Sequence, residues 1–221
     1  MAMMMPRGRT TDAVALVTFL AFLAATLTGQ NERVATIAGF TPSHVHALVA
    51  QGTAPGLPVW LTPLTATLVH AGWLHVGLNL LILLYCGRQI DHLLGTVRLL
   101  ILYVVGAYAA AFAQWLAAPM SDNPMVGASG AISAVIGTYA LIYSRREVSA
   151  IGPFSAQAVR IIWLAAGWTV LQIMIGFAGL GGFGLGSVGA IAIWAHVGGF
   201  IAGLLLARPL LSSRFRKRRL H

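Results

Sequence analysis

The sequence predicts an all-α polytopic membrane protein: six transmembrane helices with both termini in the cytoplasm. Three observations carry that reading. The chain has 221 residues, 58% of them apolar and only 9% charged, and its mean hydropathy is +0.82. A soluble domain carries about 25% charged residues, so this composition cannot build a water-facing surface. Six apolar runs approach the ~20 residues that a ~30 Å hydrocarbon core requires. Thirteen of the fourteen basic residues fall on alternate connections, the arrangement expected when basic loops stay inside. Disorder is excluded by the same apolar composition. One cysteine, Cys86, excludes an intrachain disulfide framework and any multi-cysteine metal site.

The elements follow in order. Arg7 and Arg9 precede the first run, about 13–27. A secretory signal is the alternative there, but Leu27-Thr28-Gly29-Gln30 has no small-x-small cleavage site, and removal leaves an odd span count. Residues from Gln30 to about Pro63 form a long outer loop with Pro42, Pro55 and Pro58, and such a loop is expected to carry structure of its own. Its His44 and His46 could ligate a metal, although exposed loop is the plainer reading. The second run, about 72–90, and the third, about 99–116, flank Arg88 and Arg98. The fourth, about 129–143, and the fifth, about 161–177, flank Arg145, Arg146 and Arg160. Seven glycines in the fourteen residues from Gly176 to Gly189 predict a mobile connection to the sixth run, about 191–206. Arg208 and a basic tail, 212–221, complete the chain. The tail reads as an anchor at anionic lipid rather than a nucleic-acid site. Only Arg33 lies on the outer side. No repeat or second domain is visible, so residues 1–221 are read as a single membrane domain.

Polar groups inside a membrane are costly and point to function. They fall in three clusters. His70, His75 and Asn79 open the second span, with His75 and Asn79 four apart on one helix face. Gly127, Ser129 and Gly130 open the fourth. Ala195, His196, Gly199 and Gly203 lie in the sixth. With the nearest basic residue as a ruler and a rise of 1.5 Å per residue, Ser129 stands ~24 Å, His75 ~20 Å, His196 ~18 Å and Asn79 ~14 Å above the basic side. Four polar side chains on three helices therefore share one depth range. Ser129, Ser133 and Gly137 are spaced i, i+4, i+8, and Gly199 and Gly203 follow His196 at +3 and +7. Such small-residue faces let helix backbones touch. If these two faces pack, Ser129 and His196 can meet.

A serine beside a histidine is an activated nucleophile, because imidazole accepts the hydroxyl proton during attack. The five acids are Asp12, Glu32, Asp91, Asp122 and Glu147, and none lies within a confident span. A buried Ser-His-Asp triad is therefore disfavoured and a dyad remains. Aspartyl intramembrane proteolysis needs two buried carboxylates, and a His-Glu-x-x-His metalloprotease needs a motif the chain lacks. Ser129 opens a helix, so its N–H is free to face a developing oxyanion, and His75 and Asn79 offer side-chain donors.

In its His-x4-His-x3-Asn, Gly-x-Ser-Gly and Ala-His-x2-Gly-x3-Gly patterns, the chain resembles the rhomboid intramembrane serine proteases of the minimal six-span prokaryotic type. The likeness covers about Trp60 to Leu206, with the three motifs in order on the second, fourth and sixth runs. It implies Ser129 as nucleophile and His196 as general base and then acid. It implies an oxyanion hole from His75, Asn79 and the Ser129 N–H, with His70 helping to hold the outer loop. Gly127, Gly130, Gly199 and Gly203 are then structural support. The likeness also implies a first outer loop partly sunk in the membrane, and a gate made of the glycine-rich loop with the fifth span. Two positions depart from the family pattern. Trp60 is followed by Leu61 where many members have arginine, which leaves the anchoring of that loop open. Ser133 stands where some members place a tyrosine against the histidine ring.

The expected function is that of a serine endopeptidase acting on single-span membrane proteins within or near their transmembrane segments. It uses no metal or cofactor, does not bind nucleic acid, and sits in the bilayer of a bacterial cytoplasmic membrane. An inactive rhomboid-like protein that binds or escorts membrane proteins is the alternative. A channel or transporter would instead line the full membrane depth with polar residues.

Overall fold

The computed structural model describes residues 6–143, 148–180 and 192–218. Every regular element among them is helical. The chain runs α1 (Arg9–Leu27), α2 (Asn31–Ala38), α3 (Pro42–Gln51), α4 (Thr62–Thr65), a 3₁₀ turn at Ala66–Leu68, and α5 (Trp73–Ile82). A π turn at Leu83–Gly87 leads straight into α6 (Arg88–Leu94). Then come α7 (Thr96–Ala117), α8 (Ser129–Tyr143), α9 (Ala156–Leu180) and α10 (Ile193–Arg218).

Among the described residues, α1, α7 and Ile193–Arg214 of α10 are each long and apolar enough to cross a bilayer. The helical segments Thr62–Leu68 and Trp73–Leu94 pass the same test together but are bent by 103° at their junction. The expected spans each coincide with a helix or a continuous helical run. Helix α8 starts at Ser129 as expected, α1 begins four residues early, α5 and α10 begin one and two residues after the expected starts, and the helical runs to Leu94, Ala117, Leu180 and Arg218 pass the expected ends. Helix α10 runs on through Pro209, and its far end is tied back by Arg98, which donates to the Ser213 hydroxyl and carbonyl at 2.8 and 2.9 Å. Helix α9 carries the backbone through Gly176 and Gly179 to Leu180, so the glycine-rich stretch begins as helix. Residues 181–191, where a mobile connection is expected, lie outside the described part. So do Arg145 and Arg146.

Helix α8 is the axis of the molecule. Gly130, Ala131, Ile132, Ser133, Ala134, Val135, Gly137, Thr138 and Leu141 are all buried, on every side of the helix. A helix apolar all round belongs in the interior, and α8 contributes to three separate buried clusters. One joins it to α6, α7 and α10, a second to α1 and α7, and a third to α10 with α9 at its edge. Its described residues, Ser129–Tyr143, rise ~22 Å.

The long connection after α1 is folded, as its length predicts. It contains α2, α3 and α4. Thr65 Oγ1 donates to the Ala38 carbonyl at 2.7 Å, and the Leu57 N–H to the Ile37 carbonyl at 3.0 Å. Phe40 and Met125 exchange two backbone hydrogen bonds, of 3.0 and 2.8 Å, and fasten the loop to the chain entering α8. The Tyr108 hydroxyl donates to the Trp60 carbonyl at 2.8 Å. These ties supply the anchoring that the missing arginine left open. His44 and His46 both lie on α3, two residues apart, so they point to different sides and cannot share one ion.

The opposite end is closed by carboxylates. Asp91 is buried, and its Oδ2 accepts the N–H groups of Thr10 and Thr11 at 2.9 and 3.1 Å. Those are two of the donors that the first turn of α1 leaves without helical partners. Asp12 pairs with Arg88 at 2.7 Å. Gly87 has the Thr11 side chain against its backbone, where a Cβ would meet the methyl at 2.8 Å. Two of the five acids thus lock α1 onto α6, and neither is near the serine.

Candidate active site

The site is built where α8 and α10 touch. At Gly199 a Cβ would run into the Gly130 carbonyl oxygen, and at Gly203 into that of Ala134. At Gly137 it would meet the Phe200 carbonyl. Backbone is therefore pressed on backbone along the whole crossing, which only glycine allows. Thr138 Oγ1 adds a donor to the Gly203 carbonyl at 2.9 Å. That close approach brings the first residue of α8 to the first turn of α10, and Ser129 Oγ lies 2.8 Å from His196 Nε2. The small-residue spacing anticipated this meeting.

Serine at the start of a helix has a backbone N–H with no helical acceptor. The chain enters it through Gly127, whose φ of +111° suits glycine alone. A Cβ at Gly127 would also lie 2.7 Å from both Cε1 and Nε2 of His75. The His75 ring edge thus sits on the backbone two residues before the serine. Its Nδ1 accepts the Ala71 N–H at 3.4 Å. In the neutral ring the proton is then on Nε2, so the edge facing Gly127 is a donor. Ala71 was not a candidate from sequence, because only its main chain acts.

Asn79 is buried one turn along α5, and its amide donates to the His75 carbonyl at 2.9 Å. One of its two N–H donors is thereby committed to its own helix. His70 lies in the turn before α5 and is only 2% exposed. Its Nε2 accepts the Ala128 N–H at 3.4 Å, and its ring is 5.0 Å from that of His75. His70 is therefore tied to the residue before the serine as well as to the loop. The Gly127 N–H itself donates to the Ala66 carbonyl at 2.9 Å, so the 3₁₀ turn and the serine entry move as one.

Ser133, in the place of a tyrosine, does not reach toward the imidazole as a ring would. It is buried and donates to the Ser129 carbonyl at 2.8 Å. The His196 main chain is held on both sides. Its N–H donates to the Ala192 carbonyl at 3.2 Å, and its carbonyl accepts the Trp168 indole N–H at 3.2 Å. Trp168 belongs to an apolar run and carries no local motif, so no sequence pattern could single it out. Among the described residues no three His, Cys, Asp or Glu side chains converge as a metal site.

The sequence profile of the Rhomboid domain matches residues 58–213, well over half of the chain. This chain belongs to the rhomboid family. It is accordingly an integral membrane protein, as its apolar helices require. The chain is 31% identical over 203 residues to "Rhomboid protease GlpG" of Pectobacterium atrosepticum, covering 90% of this chain and 62% of that protein. It is 33% identical over 144 residues to the protein of the same name from Photorhabdus laumondii, covering 65% of this chain and 45% of that one. The Yersinia pestis protein of that name gives 33% over 140 residues, covering 63% and 44%. The chain thus spans between about two fifths and three fifths of these relatives' lengths. The matched region contains Ser129, His196, His75, Asn79 and His70.

Proposed function

We propose that this protein is an intramembrane serine endopeptidase that cleaves single-span membrane proteins within or near their transmembrane segments. The observation that carries the reading is the 2.8 Å contact between Ser129 Oγ and His196 Nε2 at the start of α8. The relatives' printed name, rhomboid protease, agrees with it.

His196 Nε2 takes the hydroxyl proton as Ser129 Oγ attacks the scissile carbonyl. The resulting oxyanion faces the Ser129 N–H, the Nε2–H of His75 and, after a turn of its side chain, the free N–H of Asn79. His196 then gives its proton to the departing amine and leaves an acyl-enzyme. Water enters from the outer side, loses a proton to the same imidazole and releases the second product. No metal or cofactor takes part. Gly127, Gly130, Gly199 and Gly203 serve by letting the backbones approach, and His70 by holding Ala128.

A substrate helix shields its peptide bonds in its own hydrogen bonds, so it must unwind to be cut. Small or helix-breaking residues near the cleavage point are therefore expected. The architecture we propose has six spans in one rhomboid-like domain, 1–221, with both termini and the basic tail in the cytoplasm of a bacterial inner membrane. Thirteen basic residues against one support that orientation.

The test is cleavage of a single-span reporter in proteoliposomes by the wild type, Ser129→Ala and His196→Ala. Each variant is expected to lose on the order of 10⁴-fold or more of kcat, since members of such a unit fail together. Cleavage that survives Ser129→Ala refutes the mechanism. A non-catalytic relative has no use for a serine hydroxyl held on an imidazole, and predicts no cleavage by the wild type.

A further inference from the structure

A cavity of about 220 Å³ lies between α1 and the folded connection that follows it. Its walls are largely apolar: Phe22 and Ala25 come from α1, Val34 and Ala38 from α2, Leu68 from the 3₁₀ turn, and His70 joins them. Two other polar side chains on the wall are engaged within the protein. Thr65 donates to the Ala38 carbonyl at 2.7 Å, and Asn31 accepts from the Thr26 hydroxyl at 3.3 Å. The volume is many times what one water needs. It is below the ~300–1,000 Å³ of a pocket that takes a whole drug-sized molecule. Such a space suits a segment of apolar chain.

His70 gives the cavity its chemistry. Its Nε2 accepts the Ala128 N–H, so in the neutral ring the proton sits on Nδ1. The side chain is 2% exposed, and among the described residues Nδ1 has no hydrogen-bond partner. The Leu68 carbonyl lies beside the ring, outside hydrogen-bond geometry. A buried donor left unpaired is costly, so an acceptor is expected in the space that the ring lines. Phe22 sets its ring against both His70 and Trp73, with centroids 6.5 and 4.9 Å apart and planes nearly perpendicular. Phe22 is buried and Trp73 is 58% exposed, so the wall borders side chains that face the bilayer. Phe22 and Ala25 lie in the last two turns of α1, near the level at which acyl chains join their ester groups.

We infer that this cavity is a lipid site, which takes an acyl chain between α1 and α2 while the ester carbonyl of that chain accepts the Nδ1–H of His70. The apolar walls disfavour a charged ligand, and one neutral donor asks for one neutral acceptor. A bilayer lipid has that composition, an apolar chain ending in a carbonyl, and surrounds α1 at all times. The bound ester keeps the His70 proton on Nδ1, which leaves Nε2 to accept from Ala128, the residue before Ser129. The inference rests on the placement of α1 in the bilayer and not on the roles given to Ser129 and His196.

The test uses the full chain in proteoliposomes of phosphatidylglycerol that carries a diazirine midway along one acyl chain. After irradiation, wild-type adducts are expected at Val34 and Ala38 inside the cavity as well as at Leu20 and Leu27, which are exposed on α1. Ala25→Phe fills the space with a ring. It should lower the Val34 and Ala38 adducts about ten-fold, a penalty of ~1.4 kcal/mol on the occupied site, and leave those at Leu20 and Leu27 unchanged. Wild-type adducts confined to Leu20 and Leu27 mean annular lipid only and overturn the inference. So do cavity adducts that persist in Ala25→Phe. An Ala25→Phe chain is intact if its melting temperature and its fluorophosphonate labelling of Ser129 match the wild type. A second measurement needs no variant. The ¹⁵N signal of His70 Nδ1 is compared in bilayers of ester-linked and ether-linked lipid with the same chains and headgroup. It should shift between them, because an ether chain has no carbonyl to accept the proton. A signal indifferent to the linkage means that water or nothing meets the donor, and also overturns the inference.

Discussion

Helices α8 and α9 both lie against α10, and they do so in opposite ways. The α8 contact is backbone on backbone. Gly137, Gly199 and Gly203 leave no room for a single Cβ, and Thr138, fully buried, fastens the crossing with a hydroxyl. The α9 contact is made by large side chains. Trp168 stacks on Phe200, and Ile162, Trp163 and Val170 face outward. One contact has a single solution, since carbonyls that meet glycine Cα atoms cannot slide without collision. The other can part and re-form, since stacked rings and one indole hydrogen bond lose little when separated. Both reacting side chains sit on the pair that cannot slide. The peptidase proposed above needs this division, because proximity catalysis tolerates little misplacement while access for a helix-sized substrate requires something to move.

The strongest way to break the contrast is to make the tight contact impossible. Gly203→Val places two methyl groups where the Ala134 carbonyl lies. Overpacking of this kind costs about 1–3 kcal/mol, and here backbone rather than a flexible side chain must yield. His196 is seven residues away on the same face, so the shift reaches the dyad. Activity is expected to fall about 10²-fold even in the fraction that remains folded, since a misplacement of ~1 Å has that effect. Labelling of Ser129, normalised to folded protein by a thermal-melt assay, checks it. Labelling at the wild-type rate would mean that α10 can relax along α8, and the contrast would collapse.

A gentler change sharpens the comparison. Thr138→Val is nearly isosteric and removes only the hydroxyl that donates to the Gly203 carbonyl. Hydrogen bonds between membrane helices average about 0.6 kcal/mol and reach about 1.7. Stability should drop within that range, as read by steric trapping or denaturant titration. kcat should stay near wild type, because the glycine contacts still hold the register. A large loss of kcat would show that the hydroxyl, and not the close approach, sets the register.

This division of labour was only partly legible in the sequence. The start of α8 and the convergence of Ser129 with His196 follow from local information: glycine and serine at i+4 spacings, and a basic residue that marks depth. The same is true of the structured connection between α1 and α5, whose length exceeds what an unfolded connection tolerates. Other features depend on partners far apart in the chain and leave no local trace. Asp91 is a loop acid in the sequence, yet it accepts the N–H groups at the start of α1, 80 and 81 residues away. The tautomer of His75 is set by a backbone N–H, that of Ala71, which has no side-chain signature. Trp168 looks like any tryptophan in an apolar run until the fold places it on His196. Periodicity finds faces, but it cannot tell which single side chain on a face carries a polar contact.

The smallest expected effect tests the loose side. Trp163 lies on α9, five residues before Trp168, and is 68% exposed. Its large side chain has lipid rather than protein for most of its surroundings. Lipid tails are as apolar as the ring, so truncation opens no internal cavity and leaves no polar group unpaired. Trp163→Ala should therefore change stability by no more than about 0.5 kcal/mol, the range of surface substitutions in general. Trp168→Ala, on the same helix and removing the same atoms, should exceed that, since it uncovers Phe200 and strands a contact to the His196 carbonyl. Thermal melts of the two variants side by side make the comparison. Equal losses would mean that α9 is packed along its whole length, in which case it could not be the element that yields.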